Sequence, residues 1–253
     1  MRRPPDRPRA VAEHLYRRDE DRRPEFWTEG LGEPLSVYGE RIAFVEGRPL
    51  RRWEPYRSKL GAALARGWSG PIPSAGERWL YLGAATGTTA SHVADLVGRE
   101  GRVYAVERSL RPFARLLRLG ERYPNLLPLL ADARRPEAYL DRVPPVDGLY
   151  LDVAQPDQVD LALANARHFL RGSGALLLAL KTSSMGREKE PRGHLAEALA
   201  RLEGPWEVEE TIPLDPFHKR HYLIGARPTR ALLAAPSAPG VTRRAAPRAG
   251  RER

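Results

Sequence analysis

Cysteine is absent from this chain and methionine occurs only twice in 253 residues. The first absence removes disulfides, thiolate zinc sites and a cysteine nucleophile together, and no metal site is expected. Long apolar runs are missing too: stretches such as Ala175-Leu176-Leu177-Leu178-Ala179-Leu180 are strand-length, far short of the ~20 residues that span a bilayer as a helix. The N-terminus is rich in arginine and proline with no apolar segment behind it, so a soluble, cytoplasmic protein with no membrane role is expected. There is no Gly-x-Gly-x-x-Gly and no Gly-Lys-Ser/Thr, which disfavours a nicotinamide dinucleotide and excludes a P-loop. An RNP motif, a zinc knuckle and an aromatic-interleaved basic strip are likewise missing, so nothing here reads nucleic-acid sequence directly.

What is present is a formal charge of +10, unevenly placed. Pro228 to Arg253 holds six arginines against one acid and carries +5 of it, so the remainder is only mildly basic. A 42% apolar content in 253 residues suits one sizeable α/β domain with a small appended one.

The organising stretch is Trp79 to Asp95, an apolar strand running through Gly83-Ala84-Ala85-Thr86-Gly87-Thr88-Thr89 into a helix. Two glycines allow a sharp turn and a close ligand approach, while the amides opening the helix face the turn. Twenty residues past Gly87, the run Gly101 to Glu107 reads as a second strand ending in a carboxylate, where a ribose hydroxyl pair would be gripped. The pattern favours a nucleoside cofactor without phosphates, such as S-adenosylmethionine; the competing reading is a turn of small residues that serves packing alone.

Around this unit, residues 1–32 mix arginines, acids and prolines and are expected to be a mobile basic extension, with one short amphipathic helix around Val11–Tyr16. Residues 33–56 read as a small antiparallel β domain: Ser36-Val37-Tyr38, Arg41–Val45, a Glu46-Gly47 turn and Pro49–Trp53. A helix opens at Arg57-Ser58-Lys59-Leu60. Beyond Glu107, a helix from Ser109 is expected to turn Leu110, Phe113, Leu116 and Leu117 inward, and short apolar strands end at Asp132, Asp152 and Lys181. Trp206–Leu214 and His221–Arg227 read as an antiparallel pair. Alternation of this kind gives an α/β fold with a doubly wound, mostly parallel, Rossmann-like sheet over residues 57–228, ending in an antiparallel hairpin. Gly83, Glu107, Asp132, Asp152 and Lys181 then share its carboxyl edge, where such sheets bind ligands.

With these residues placed, the sequence resembles fibrillarin, the RNA 2′-O-methyltransferase family of box C/D guide particles. The likeness runs from about Tyr38 to Pro228 through Tyr56-Arg57-Ser58-Lys59-Leu60, Tyr81–Thr89, Tyr104-Ala105-Val106-Glu107, Asp132-Ala133-Arg134 and Asp152-Val153-Ala154-Gln155-Pro156-Asp157-Gln158. It implies a methyltransferase domain with S-adenosyl-L-methionine as donor, ribose of rRNA or tRNA as acceptor, and as partners a box C/D guide RNA with its target RNA and the box C/D scaffold protein. It also implies cofactor contacts at Gly83, Ala84, Thr88 and Thr89, at Glu107 and Arg108 for the ribose, at Asp132 and Ala133 for the adenine, and at Asp152, Val153, Ala154 and Gln155 beside the sulfonium. The family's catalytic Lys-Asp-Lys-His set falls on Lys59, Asp152, Lys181 and His221.

Elementary chemistry suits those residue types. A ribose 2′-hydroxyl is a poor nucleophile at neutral pH, so a neighbouring base must take its proton as it attacks the methyl group in line with the departing sulfur. A lysine can serve where burial and a second cation disfavour its charged form, which would give Lys59 a role beside Lys181, with Asp152 orienting the ammonium and His221 bonding the hydroxyl or the lysine. His92 and His168 read as structural. An NAD-dependent oxidoreductase and a non-catalytic RNA-binding subunit that has kept the fold stand as the alternatives.

The tail from 229 to 253 has prolines, alanines and arginines but little to build a core from, and disorder is expected. As a phosphate tether it would add to the salt dependence of RNA binding. Truncation after Pro228 is expected to make log affinity fall less steeply with log salt and to leave single-turnover methylation at saturating RNA unchanged; an unchanged slope removes the tether.

Overall fold

The computed structural model describes residues 7–20, 23–31, 36–186 and 188–229. The tail expected to be disordered lies, apart from Thr229, outside them. Five strands form an antiparallel N-terminal sheet: β1 (Arg9–Ala12), β2 (Leu15–Glu20), β3 (Arg23–Glu29), β4 (Ile42–Val45) and β5 (Arg48–Trp53), in the order β1-β2-β3-β5-β4. After α1 (Lys59–Ala65) come β6 (Arg78–Leu82), α2 (Thr88–Val97), β7 (Arg102–Glu107), α3 (Leu110–Arg122), β8 (Leu126–Leu130), β9 (Val146–Leu151), α4 (Gln158–Phe169), β10 (Leu170–Lys181), α5 (Pro191–Leu202), β11 (Trp206–Pro213) and β12 (His221–Pro228). The second sheet runs β11-β12-β10-β9-β6-β7-β8, parallel except for β12 and β11 at one end. This is the expected doubly wound architecture with its terminal hairpin.

Within the stretch read as an extension, Arg9–Ala12, Leu15–Glu20 and Arg23–Glu29 form strands, and Val11–Tyr16 is not a helix. His14 takes a left-handed φ of +59° between β1 and β2, and the next two residues are both buried, Leu15 in the main core and Tyr16 with Trp27 and Leu50. Successive residues can bury on opposite faces only in a strand. The arginines that suggested a solvated arm are neutralised locally: Arg18 lies 2.6 Å from Glu25 and Arg17 2.8 Å from Asp19, while Arg52 of β5 meets the same Glu25 at 2.8 Å. Ser36-Val37-Tyr38, expected as a strand, is instead a bend held by Glu40, which accepts from the Val37 and Tyr38 amides at 2.9 and 2.8 Å. In α3, Leu116 and Leu119 are buried, whereas Leu110 and Leu117 are exposed. Leu119 and Leu116 come against Gly87, where a Cβ would lie only 2.4 Å from Leu119, so that turn fixes the helix phase.

The strand order reverses beside β6: β7 and β8 lie on one side, β9 and β10 on the other. The two loops at the reversal are stitched together, with the Gly83 and Ala84 amides both donating to Val106 O and the Asp152 amide donating to Leu82 O at 2.9 Å. A crevice at this point is where doubly wound sheets place ligands.

The N-terminal sheet is joined to this frame by a buried polar cluster. Arg51 of β5, 1% exposed, bonds Glu40 at 2.7 Å, Asp95 at 2.7 Å, the Tyr123 hydroxyl at 2.8 Å and Ser91 Oγ at 3.0 Å. Thr28 of β3 donates to Asp95 at 2.6 Å and lies 2.8 Å from His92 Nδ1. Since the single Thr28 proton goes to Asp95, Nδ1–H is the donor to Thr28, and His92 Nε2 accepts from the Tyr38 hydroxyl at 2.8 Å. Burial, and then Arg51, hold His92 well below the ordinary histidine value, so the ring is neutral. Its expected structural role holds: it also stacks on Trp53 at 4.8 Å.

Removing one partner from a buried ion cluster leaves uncompensated charge, at a cost of ~3–5 kcal/mol. Arg51→Leu, which strands Glu40 and Asp95, is expected to destabilise the protein by about that much in denaturant unfolding, whereas Arg9→Ala, at an exposed pair, should shift stability by less than ~1 kcal/mol.

Candidate active site

Four strands of the parallel sheet reach a polar residue at or within two positions of their ends, Glu107, Asp132, Asp152 and Lys181, because the apolar run stops where the sheet meets solvent, while β6 runs into Gly83. At the reversal these ends border an open cleft of about 190 Å³. Its walls include Gly83, Glu107, Arg108, Asp132, Ala133, Asp152, Val153, Ala154 and Gln155, all expected site residues, together with Ser109 and Leu161, which sequence reasoning did not pick out. Ala84, Thr88 and Thr89 are not on that wall. Thr89 is buried and donates to Ser58 Oγ at 3.0 Å, so its hydroxyl braces α1 against α2.

Gly83 has φ +85°, and a Cβ on it would sit 2.4 Å from the Asp152 carbonyl oxygen. The Glu107 carboxylate is nearly buried and accepts from the Ala85 amide at 2.9 Å and the Ser109 amide at 2.7 Å. It therefore fixes both loops and still has lone pairs for a ligand's hydroxyls. Arg108 approaches Asp132 at 3.8 Å, and Asp132 accepts from the Arg134 amide at 3.0 Å. Arg134 also pairs with Asp157 at 3.0 Å, which with its hydrogen bond holds that carboxyl below the usual carboxylate range, and donates to Gln155.

Lys59 and Asp152, 93 residues apart, meet as an ion pair of 2.7 Å at the edge of the cleft. Ser58 makes this possible: it caps α1, accepting from the Gly61 amide at 3.2 Å, and so sets the first turn that carries Lys59. Beneath Asp152, Tyr81 and Tyr150 are buried edge to face at 4.7 Å, and burial, with the Asp152 charge adding, pushes both phenols well above their ordinary value. They act as neutral hydroxyls.

Lys181 and His221 are paired opposite each other across β10 and β12. Buried Gln158 clamps Lys181 by its backbone, accepting from its amide at 2.8 Å and donating to its carbonyl at 3.1 Å. The His221 Nδ1–H donates to Lys219 O at 2.8 Å, so in the neutral ring Nε2 holds the lone pair. Sequence reasoning missed His218, whose ring centre is 5.9 Å from that of His221 and whose Nε2–H donates to Pro55 O at 2.9 Å. Burial pushes both histidines below the ordinary value, with the positive charge of Lys59 adding to it. The usable signals for the missed groups were Ser58 ahead of an apolar helix and a second histidine three residues before His221.

The Gly83 contact gives a stability test. Gly83→Ala combines a left-handed φ with a backbone clash, and strain of this kind costs ~1–3 kcal/mol or more. Denaturant unfolding should show at least that loss, and a silent substitution would mean that the two loops are not in contact.

Comparison with known proteins gives the same picture. The Fibrillarin family model matches residues 7–230. A fibrillarin-like rRNA/tRNA 2′-O-methyltransferase of Sulfurisphaera tokodaii is 44% identical over 201 residues, 79% of this chain and 86% of that protein. Among solved structures, Aeropyrum pernix fibrillarin in complex with natively bound S-adenosyl-L-methionine superposes with a TM-score of 0.76 at 39% identity, over 87% of this chain and 99% of that one. The fibrillarin/Nop5p complex gives 0.77 at 36% identity, over 87% of this chain and 100% of the matched one. On the match over nearly its whole described length, the chain belongs to the fibrillarin family.

Proposed function

We propose that this protein transfers a methyl group from S-adenosylmethionine to the 2′-hydroxyl of ribose in rRNA or tRNA, inside a ribonucleoprotein directed by a box C/D guide RNA. The observation that carries the reading is the Lys59–Asp152 pair standing at the rim of the strand-end cleft. The curated relative carries this activity in its name, a fibrillarin structure holds the donor, and another pairs fibrillarin with Nop5p, which supports a scaffold-protein partner.

The cleft suits that donor. Its charged lining is three carboxylates, Glu107, Asp132 and Asp152, against Arg108, which favours a cationic sulfonium and ribose hydroxyls over a pyrophosphate. The Ala85 amide in the glycine turn is already taken by Glu107, so the turn is poorly equipped for the phosphates of NAD. That weighs against an oxidoreductase, as the assembled Lys59–Asp152 pair weighs against a non-catalytic subunit. The compact ribose site is Glu107 with Arg108, and Asp132 with Ala133 borders the place for the adenine.

When bound, S-adenosylmethionine supplies an electrophilic methyl group on sulfur. This chain has to orient the acceptor hydroxyl and move its proton. Paired with Asp152, the Lys59 ammonium has no lone pair to offer, so the pair acts as a unit: Lys59 donates to the acceptor oxygen, and the carboxylate takes the proton as nucleophilicity develops. Neutral His221 offers Nε2 as a second acceptor for the same proton, and Lys181, held by Gln158, adds positive charge for the RNA backbone. Among the described residues no helix is long and apolar enough to cross a membrane; we assign the particle to the cytoplasm.

Calorimetry with S-adenosylhomocysteine and single-turnover methylation test the assignment together. Asp152→Ala should lower the single-turnover rate by roughly 10²–10⁴-fold while changing S-adenosylhomocysteine affinity far less. Equal losses in both would make Asp152 a binding residue only, and no S-adenosylhomocysteine binding by the unsubstituted protein would end the reading. Because His221 must be neutral to accept, and its value is depressed, the rate should fall with pH only below the ordinary histidine range. His221→Asn should abolish that acid limb.

A further inference from the structure

A second cleft, of about 240 Å³, opens where β10 gives way to the loop before α5. Thr182, Ser183, Lys189, Glu190, His194 and Arg220 border it. His194 is the anomaly: it is 3% exposed, and neither Nδ1 nor Nε2 has a hydrogen-bond partner among the described residues. Leaving a buried polar group unpaired is costly, so an imidazole orphaned at both nitrogens on a cleft wall points to a polar ligand.

The other groups narrow its chemistry. Arg220 has φ +59°, and its carbonyl is clamped by the Thr182 amide at 3.1 Å and the Thr182 hydroxyl at 2.9 Å. The loop is thereby fixed while the guanidinium stays exposed and, among the described residues, without an ion-pair partner. Lys189 is already paired with Glu197 at 2.8 Å. Among the described residues Arg220 is then the one unpaired cation on the wall and Glu190 stands as an acid, so this wall is not built for a polyanion. It suits a singly charged diester, with Arg220 and the Ser183 hydroxyl on the anionic oxygens, His194 donating one N–H, and the positive end of α5 adding to the field.

Its place in the fold says which diester. Thr182 follows Lys181 and Arg220 precedes His221, and those two residues face each other across the paired strands. We propose that this cleft receives a phosphodiester of the substrate RNA strand adjacent to the nucleotide being methylated, so that it sets which ribose faces Lys59 and Asp152. The inference rests on the methyltransferase reading above.

The test titrates the full chain, labelled with nitrogen-15 in histidine, with a three-nucleotide RNA, with the same RNA carrying uncharged methylphosphonate links, and with inorganic phosphate. The diester RNA should shift the His194 ring nitrogens and bind at least tenfold tighter than the methylphosphonate. Arg220→Ala should erase that difference and leave S-adenosylhomocysteine affinity unchanged. His194→Phe should weaken the diester alone; if it does not fold, the exposed Arg220→Ala variant decides. Unmoved His194 signals, equal affinity for both RNAs, or an equal response to inorganic phosphate would overturn the proposal. Normal S-adenosylhomocysteine binding with RNA methylation untouched by Arg220→Ala would sink this inference alone, whereas no cofactor binding at all would sink the reading beneath it.

Discussion

The Arg51 guanidinium, buried between Glu40 and Asp95, is the contact on which the rest of the molecule hangs. It takes β5 of one sheet and α2 of the other out of water together, and it would be prohibitively costly there without both carboxylates and the hydroxyls that complete its donors. Because α2 is held on this side, its first turn is held too, and Thr89 passes that constraint to Ser58, the cap of α1. The N-terminal sheet is thus the backing plate of the edge that carries the candidate active site.

From that edge the chemistry follows by distribution of charge. Three acids and Arg108 line the strand-end cleft, and cations and histidines lie along the neighbouring ends of β10 and β12 and the start of α1. Asp152 belongs to both regions, as a wall of the cleft and as partner of Lys59. In the proposed reaction a carboxylate in that position faces both the sulfonium and the acceptor hydroxyl. Glu107, by contrast, spends hydrogen-bonding capacity on two backbone amides and so shapes the crevice as well as bordering it.

Much of this was legible in the chain because strand ends in a parallel sheet are marked twice, by the stop of an apolar run and by the polar residue that follows. Glu107, Asp132, Asp152 and Lys181 could be placed on one edge that way, and Gly83 by its turn, and the sheet confirms the placement. Lys59 carried no such mark; only folding across 93 residues brings it to Asp152, and the family resemblance, not its local pattern, singled it out. The first strands were illegible for a different reason. Their arginines and acids neutralise one another across the sheet, a pattern that read linearly is the same as that of a solvated arm. In α3 the spacing allowed Leu117 inside as readily as Leu119, and the choice was made by the close approach at Gly87.

The central claim is that this edge methylates ribose. The most direct measurement is nucleoside mass spectrometry of target RNA after incubation of the full chain with S-adenosylmethionine, a box C/D guide RNA and the scaffold protein. One 2′-O-methylated nucleoside, at the position the guide specifies and absent with Asp152→Ala, is the predicted result. Methylation on a base, or unmodified RNA from a complex that has bound both donor and substrate, would contradict the account.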